Sequence, residues 1–118
     1  MDKILRIDVS KDKPEAREET MSSDFAGLGG RGLTSAIVAG EVPPDCHPLG
    51  PENKLVIAPG LLSGTAAVNS GRLSVGCKSP LTGGIKEANA GGQAAQVIGK
   101  LGYAAIVLEG ERQGDDLY

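Results

Sequence analysis

The sequence predicts an α+β fold, built mainly of antiparallel β-sheet with two short helices. Three observations carry this. Apolar residues cluster in strand-length runs at residues 4–9, 55–58, 72–78 and 104–108. Only residues 33–42 and 93–101 show the three-to-four-residue spacing of a helix. Finally, strands outnumber helices and come in runs, which favours segregated α+β structure over a doubly wound parallel sheet.

Taken in order, Ile4, Leu5, Ile7 and Val9 alternate with charges and read as a first strand, with the charged stretch to Thr20 as its exposed hairpin partner. Residues 24–32 form a glycine-rich turn into a helix that carries Leu33, Ile37 and Val38 on one face and ends near Gly40. Pro43, Pro44, Pro48 and Pro51 then forbid regular structure. Residues 55–58 are a buried strand stopped by Pro59 and Gly60, Arg72 to Lys78 a further strand, and residues 79–84 a turn. After Asn89 and the Gly91-Gly92 pair, residues 93–101 read as a helix with Val97, Ile98 and Leu101 facing inward. Residues 104–108 are a strongly β-prone core strand. The ending GERQGDDLY reads either as a turn and the start of another strand, cut at Tyr118, or as a short exposed tail. Residues 1–118 are thus taken as a single domain, truncated at its end.

The length of 118 residues suffices for one modest core and excludes a multidomain machine. Glycine is twice as frequent as usual, 18 residues, whereas Phe25, Tyr103 and Tyr118 are the only aromatics, so backbone must carry much of what the surface does. The net charge of −3 suits nucleic acid poorly. Its distribution is more telling: between Asn53 and Leu108, Lys54, Arg72, Lys78, Lys86 and Lys100 face the single acid Glu87. A basic, glycine-rich window in an acidic chain suits a small anionic ligand, through free N–H groups and a few cations. The N-terminal apolar stretch is broken by Arg6 and Asp8, so neither a signal peptide nor a membrane anchor is expected, and a cytoplasmic location is. Cys46 and Cys77 have no CxxC pattern and only His47 beside them, which excludes a zinc or iron–sulfur framework within this chain and favours free thiols.

Gly27, Gly29 and Gly32 satisfy G-x-G-x-x-G, but no buried strand precedes them and Glu52, twenty residues on, lies in a proline-rich loop; a turn into a helix with Arg31 exposed is the simpler reading. The sharper constellation is residues 70–95. Arg72 can bond a phosphate or a planar heterocycle through two N–H groups, and Lys78 can add a charge if both emerge on one side of the sheet. Asn89 offers a side-chain amide and a main-chain carbonyl, and Gly91 and Gly92 leave N–H groups uncovered. Taken singly, each has a structural explanation; taken together, an anionic cofactor explains them better. No nucleophilic triad can be assembled, since His47 is the sole histidine, and Glu87 reads as a solvated or salt-bridged carboxylate before a general base.

PENKLVIAPGLLSGT (51–65), SGRLSVGCKSPLTGG (70–84), ANAGG (88–92) and LGYAAIVLEG (101–110), with ILRIDVS and GGRGL ahead of them, make the chain resemble the N-terminal domain of the tungsten-dependent aldehyde:ferredoxin oxidoreductases, over about its first half. The resemblance implies an enzyme that oxidises aldehydes to carboxylic acids, with a tungsten or molybdenum atom between two molybdopterins and a four-iron four-sulfur cluster passing electrons to ferredoxin. It implies that Arg72 contacts a pterin and that Asn89, Gly91 and Gly92 contact pterin and phosphate. The Asn89 carbonyl would bind the magnesium ion that bridges the two phosphates, and Lys78 in KSPLTG would be a further contact. Cluster ligands and catalytic residues belong to later domains of that family, so the remainder of the enzyme or a companion subunit is the expected partner and the 118 residues alone are not expected to catalyse. A stand-alone anion- or nucleotide-binding module is the alternative, and an open sheet end near Tyr118 would favour association with more chain or another copy. The chain departs from the family at LLSG (61–64), where PLTG is frequent, and at Gln93-Ala94, where an aromatic residue follows the glycine pair.

Overall fold

The expected hairpin forms: β1 (Lys3–Asp8) pairs antiparallel with β2 (Glu15–Thr20) in a computed structural model that describes residues 3–11 and 13–112. A short 3-10 turn at Ser23–Phe25 leads into α1 (Gly30–Glu41). The strands β3 (Lys54–Pro59), β4 (Arg72–Lys78) and β5 (Ile85–Gly91) follow, then α2 (Ala94–Lys100) and β6 (Tyr103–Glu109). The strands make one six-stranded sheet in the order β2-β1-β6-β3-β4-β5. All neighbours are antiparallel except β1 and β6, which run parallel with Leu5 beside Ile106. The last residues of GERQGDDLY, 113–118, lie outside those described.

Alternation sorts the sheet into two faces. Ile4, Val56, Ala58, Ala105 and Val107 are buried with Leu33, Ile37 and Val38 of α1 in the main core, as the helix spacing predicts. α1 comes close because Gly76 of β4 has no side chain: a Cβ there would stand 2.9 Å from Cβ of Thr34. On the other face Leu5, Ile57, Leu73, Val75, Ile106 and Leu108 are only half-buried. Pro59 is tolerated inside the sheet because β3 has already parted from β6, whose pairing ends at Ile57.

Two expectations need correction. Residues 85–91 form a strand, which IKEANAG, poor in β-branched and aromatic residues, does not announce; pairing with β4 along its whole length creates it. Gly91 therefore ends a strand, and Gln93, expected to open the helix, is the residue before α2. The inward face of α2 is also different, since Val97 and Leu101 are exposed while Ala95 is buried. The helix packs through its small residues, and Gly99 lies so close to the loop after β3 that a Cβ would come within 2.8 Å of the Ser63 carbonyl carbon.

Charge organises the end of the sheet that carries the hairpin. Arg6, only 8% exposed, is ion-paired to Glu19, Glu41 and Glu109, and Lys54 also bonds Glu41 and Glu109. Burial alone would raise the Glu41 carboxyl, but hydrogen bonds and charge from Arg6 and Lys54 outweigh it and hold the group below its ordinary range. The same pairing raises the Arg6 guanidinium further above its already high value.

Candidate functional site

Antiparallel register brings Arg72 opposite Gly91, Ser74 opposite Asn89 and Gly76 opposite Glu87. Because Arg72, Ser74, Asn89, Gly91 and Glu87 occupy alternate positions, all five point to the face that α1 covers. The helix reaches this corner by its first turn: a Cβ on Gly30 would lie 3.5 Å from Ser74 Oγ, and Arg31 Nε is 3.3 Å from Glu87 Oε2. Ser74, 3% exposed, donates to Asn89 Oδ1 at 2.5 Å and fixes the Asn89 side chain on the sheet. Arg72 Nη1 stands beside Gly91, 3.6 Å from where a Cβ would be.

The main-chain carbonyl of Asn89 is set by the ladder. Gly92 N–H donates to Gly71 C=O at 3.3 Å and Gly60 N–H to Arg72 C=O at 3.0 Å, so Arg72 and Gly91 form a non-hydrogen-bonded pair. Two residues along, Ser74 and Asn89 must be the same kind of pair. The Asn89 N–H and C=O consequently point away from β4, off the open edge of the sheet, where β5 is the last strand. At the end of that edge Gly92 has φ +127°, a conformation reserved for glycine, with nothing within 4 Å of its missing side chain.

Lys78 does not join this corner. It lies six residues along β4, about 20 Å away by strand rise, and is 7% exposed. Its Nζ donates to the carbonyls of Pro44 and Cys46, the latter at 2.7 Å, which ties the proline-rich loop to the sheet. His47 is likewise occupied locally, with Nδ1 accepting from Leu49 N–H at 3.1 Å. Cys46 and Cys77 are free thiols. The G-x-G-x-x-G segment follows a 3-10 turn instead of a strand, so it lacks a dinucleotide-binding frame. Among the described residues no three His, Cys, Asp or Glu come together as a metal site, and no helix is long and apolar enough to cross a membrane. Arg31 and Ser74 are members of the corner that sequence reasoning did not place there; Ser74 is revealed by its register opposite Asn89, and Arg31 by the approach of α1 to Glu87.

Comparison with known proteins decides the lineage. The family model described as aldehyde ferredoxin oxidoreductase, N-terminal domain, matches residues 4–117. The chain belongs to this family. It is 40% identical over 111 residues to a tungsten-containing aldehyde ferredoxin oxidoreductase of Thermococcus kodakarensis, and 42% identical over 113 residues to that of Pyrococcus furiosus. In both cases 94% of this chain is matched, but it spans only 18% of the relative's length. Among solved structures, the active-site complex BamBC of benzoyl coenzyme A reductase with 1,5-dienoyl-CoA superposes with a TM-score of 0.85 at 31% identity, covering 94% of this chain and 17% of that one. The aldehyde ferredoxin oxidoreductase N-terminal fold is thus a mixed, mainly antiparallel sheet with two helices, as the sequence predicts.

Proposed function

We propose that this chain forms part of the base on which a tungsten or molybdenum bis-molybdopterin rests, in an oxidoreductase that converts aldehydes to carboxylic acids with ferredoxin as electron acceptor. The observation that carries the reading is the convergence of Arg72, Asn89, Gly91 and Gly92 at one corner of an open sheet edge. The donor set suits an anionic, planar group. Arg72 is exposed and offers its guanidinium edge, while Gly91 and Gly92 leave room for a phosphate to approach the backbone.

In this reading Arg72 binds the pterin and its phosphate, and the two glycines keep the approach free of side chains. Ser74 has a positioning role, since its hydroxyl holds Asn89 in place. The Asn89 carbonyl, directed off the sheet edge, is the protein ligand of a magnesium ion. Magnesium takes few protein ligands and completes its shell with phosphate oxygens and water, so a single main-chain carbonyl suits it. When bound, the metallopterin supplies the two-electron redox chemistry. The residues of this chain hold and orient it; the iron–sulfur cluster, the aldehyde site and ferredoxin docking belong to the remainder of the enzyme.

Metal and pterin content of the purified enzyme test this reading. Arg72→Ala and Gly91→Val should each lower both tungsten and pterin per polypeptide. Undiminished content in the two variants would refute the placement of the cofactor at this corner.

A further inference from the structure

We propose that Arg31 is a second cationic contact for the anionic group held at this corner, and that Glu87 is the residue that positions it. The inference rests on the cofactor reading above and adds two residues to it. Glu87, Asn89 and Gly91 are alternate residues of β5, so the carboxylate lies on the same face as the proposed contacts and one step further under α1. Its side chain is only 16% exposed, opposite Gly76, whereas that of Arg31 is 71% exposed on the first turn of the helix.

The contact is one-sided, and that is what gives it meaning. Glu87 Oε2 meets Arg31 at Nε, 3.3 Å away, and Oε1 is buried with no hydrogen-bond partner. Arg–carboxylate pairs are frequently forked, with both oxygens used, and this one is not. Here the carboxylate meets the guanidinium through Nε and leaves the Arg31 side chain 71% exposed. Confinement of Glu87 by the sheet also lowers the entropy cost of holding a long, exposed side chain. The first turn of α1 contains no acid of its own and Gly29 contributes no side-chain cap, so Glu87 is the carboxylate that meets this end of the helix. Arg72 provides the other cation along the same face.

The test is a titration of the 118-residue chain with inorganic pyrophosphate at low salt, followed by amide chemical shifts, which also report whether each variant is folded. Arg31→Gln should weaken binding about fivefold, the range of a solvent-exposed charged contact. Glu87→Gln gives the sharper readout. Removal of a negative charge would by itself tighten anion binding, so a positioning role predicts the opposite sign, a weakening of about threefold. In the Arg31→Gln background the same Glu87→Gln change should revert to tightening. Arg31→Lys, which keeps the charge but has neither Nε nor a fork, should bind no better than Arg31→Gln. Tightening by Glu87→Gln in both backgrounds, or full affinity in Arg31→Lys, would overturn the positioning role; an unchanged Kd in Arg31→Gln would overturn the contact itself. Arg72→Ala separates the two readings. If it weakens binding while Arg31→Gln does not, only the present inference fails. If wild type shows no pyrophosphate binding, or neither variant changes it, the corner reading falls as well.

Discussion

A single methyl group at Gly99 should destabilise this chain, although alanine is ordinarily the better helix former. Gly99 lies in α2 against the loop that follows β3, and its added Cβ would stand 2.8 Å from the Ser63 carbonyl carbon and 3.2 Å from Gly64 N, inside the carbonyl oxygen's contact radius. Ordinary contact begins near 3.4 Å, so helix and loop must separate by at least about 0.6 Å, against backbone on both sides. The loop cannot easily yield. Ser63, 1% exposed, donates to Ser70 C=O at 2.6 Å, and Gly64 N–H donates to Gln96 Oε1 at 2.5 Å. Overpacking of this kind costs about 3 kcal/mol, and alanine returns roughly 1 kcal/mol of helix propensity. The expected net loss is about 2 kcal/mol, or a fall of about 8 °C in Tm for a chain of this size. Thermal and urea unfolding followed by circular dichroism measure it. Gly40→Ala is the control: it sits in α1, exposed, with nothing within 4 Å of the added methyl, and should gain about 0.5–1 kcal/mol. If Gly99→Ala were as stable as wild type or more so, the argument for a close-packed small face on α2 would be wrong.

Further outcomes follow from the charge network and the proline-rich loop. Arg6→Met leaves Glu19, Glu41 and Glu109 without their shared cation and should cost about 3 kcal/mol in urea unfolding, more than Arg17→Met at an exposed pair. Because the Glu41 carboxyl is held below its ordinary value of 4.5, its contribution is complete above that pH and is lost as pH falls through the lower folded value. The urea midpoint should therefore drop below about pH 4.5, and Glu41→Gln should flatten that part of the profile. Lys78→Met strands two carbonyls and should cost about 2 kcal/mol, with faster amide exchange in residues 43–53 and no change in pyrophosphate affinity.

Legibility in the sequence tracked the strength of local periodicity. α1 is readable because Leu33, Ile37 and Val38 fall on one stripe, and β4 because its residues alternate between Arg72 and Lys78. β5 is not, since Ile85–Gly91 becomes a strand only through its ladder to β4, an interaction no local pattern encodes. The same ladder explains the candidate site. Arg72, Asn89 and the glycines were legible as residue types, and their convergence follows from an antiparallel register. Arg31 was read as an exposed side chain, which it is, but its proximity to Glu87 depends on how α1 crosses the sheet. Lys78 shows the converse: its charge suggested a ligand contact, while its burial commits Nζ to carbonyls of a loop 32 and 34 residues earlier. The α2 face departs from its hydrophobic spacing for a reason of size. Val97 and Leu101 have the greater hydrophobicity, but only Ala95 and Gly99 allow the approach the loop requires.

The parallel pairing of β1 with β6 also sets a timetable. Lys3 is beside Tyr103, and β6 sits between β1 and β3, so the strand that unites the sheet is the last of the described strands to be made. At a translation rate of 5–20 residues per second, the N-terminal hairpin waits about 5–20 s for its neighbour. During that interval β1 and β3 each expose an unpaired edge with apolar residues, a template for pairing with the wrong chain. The nascent chain is therefore most vulnerable to aggregation just before residue 109 leaves the ribosome, and a trigger-factor-like holdase would have its greatest effect on yield there.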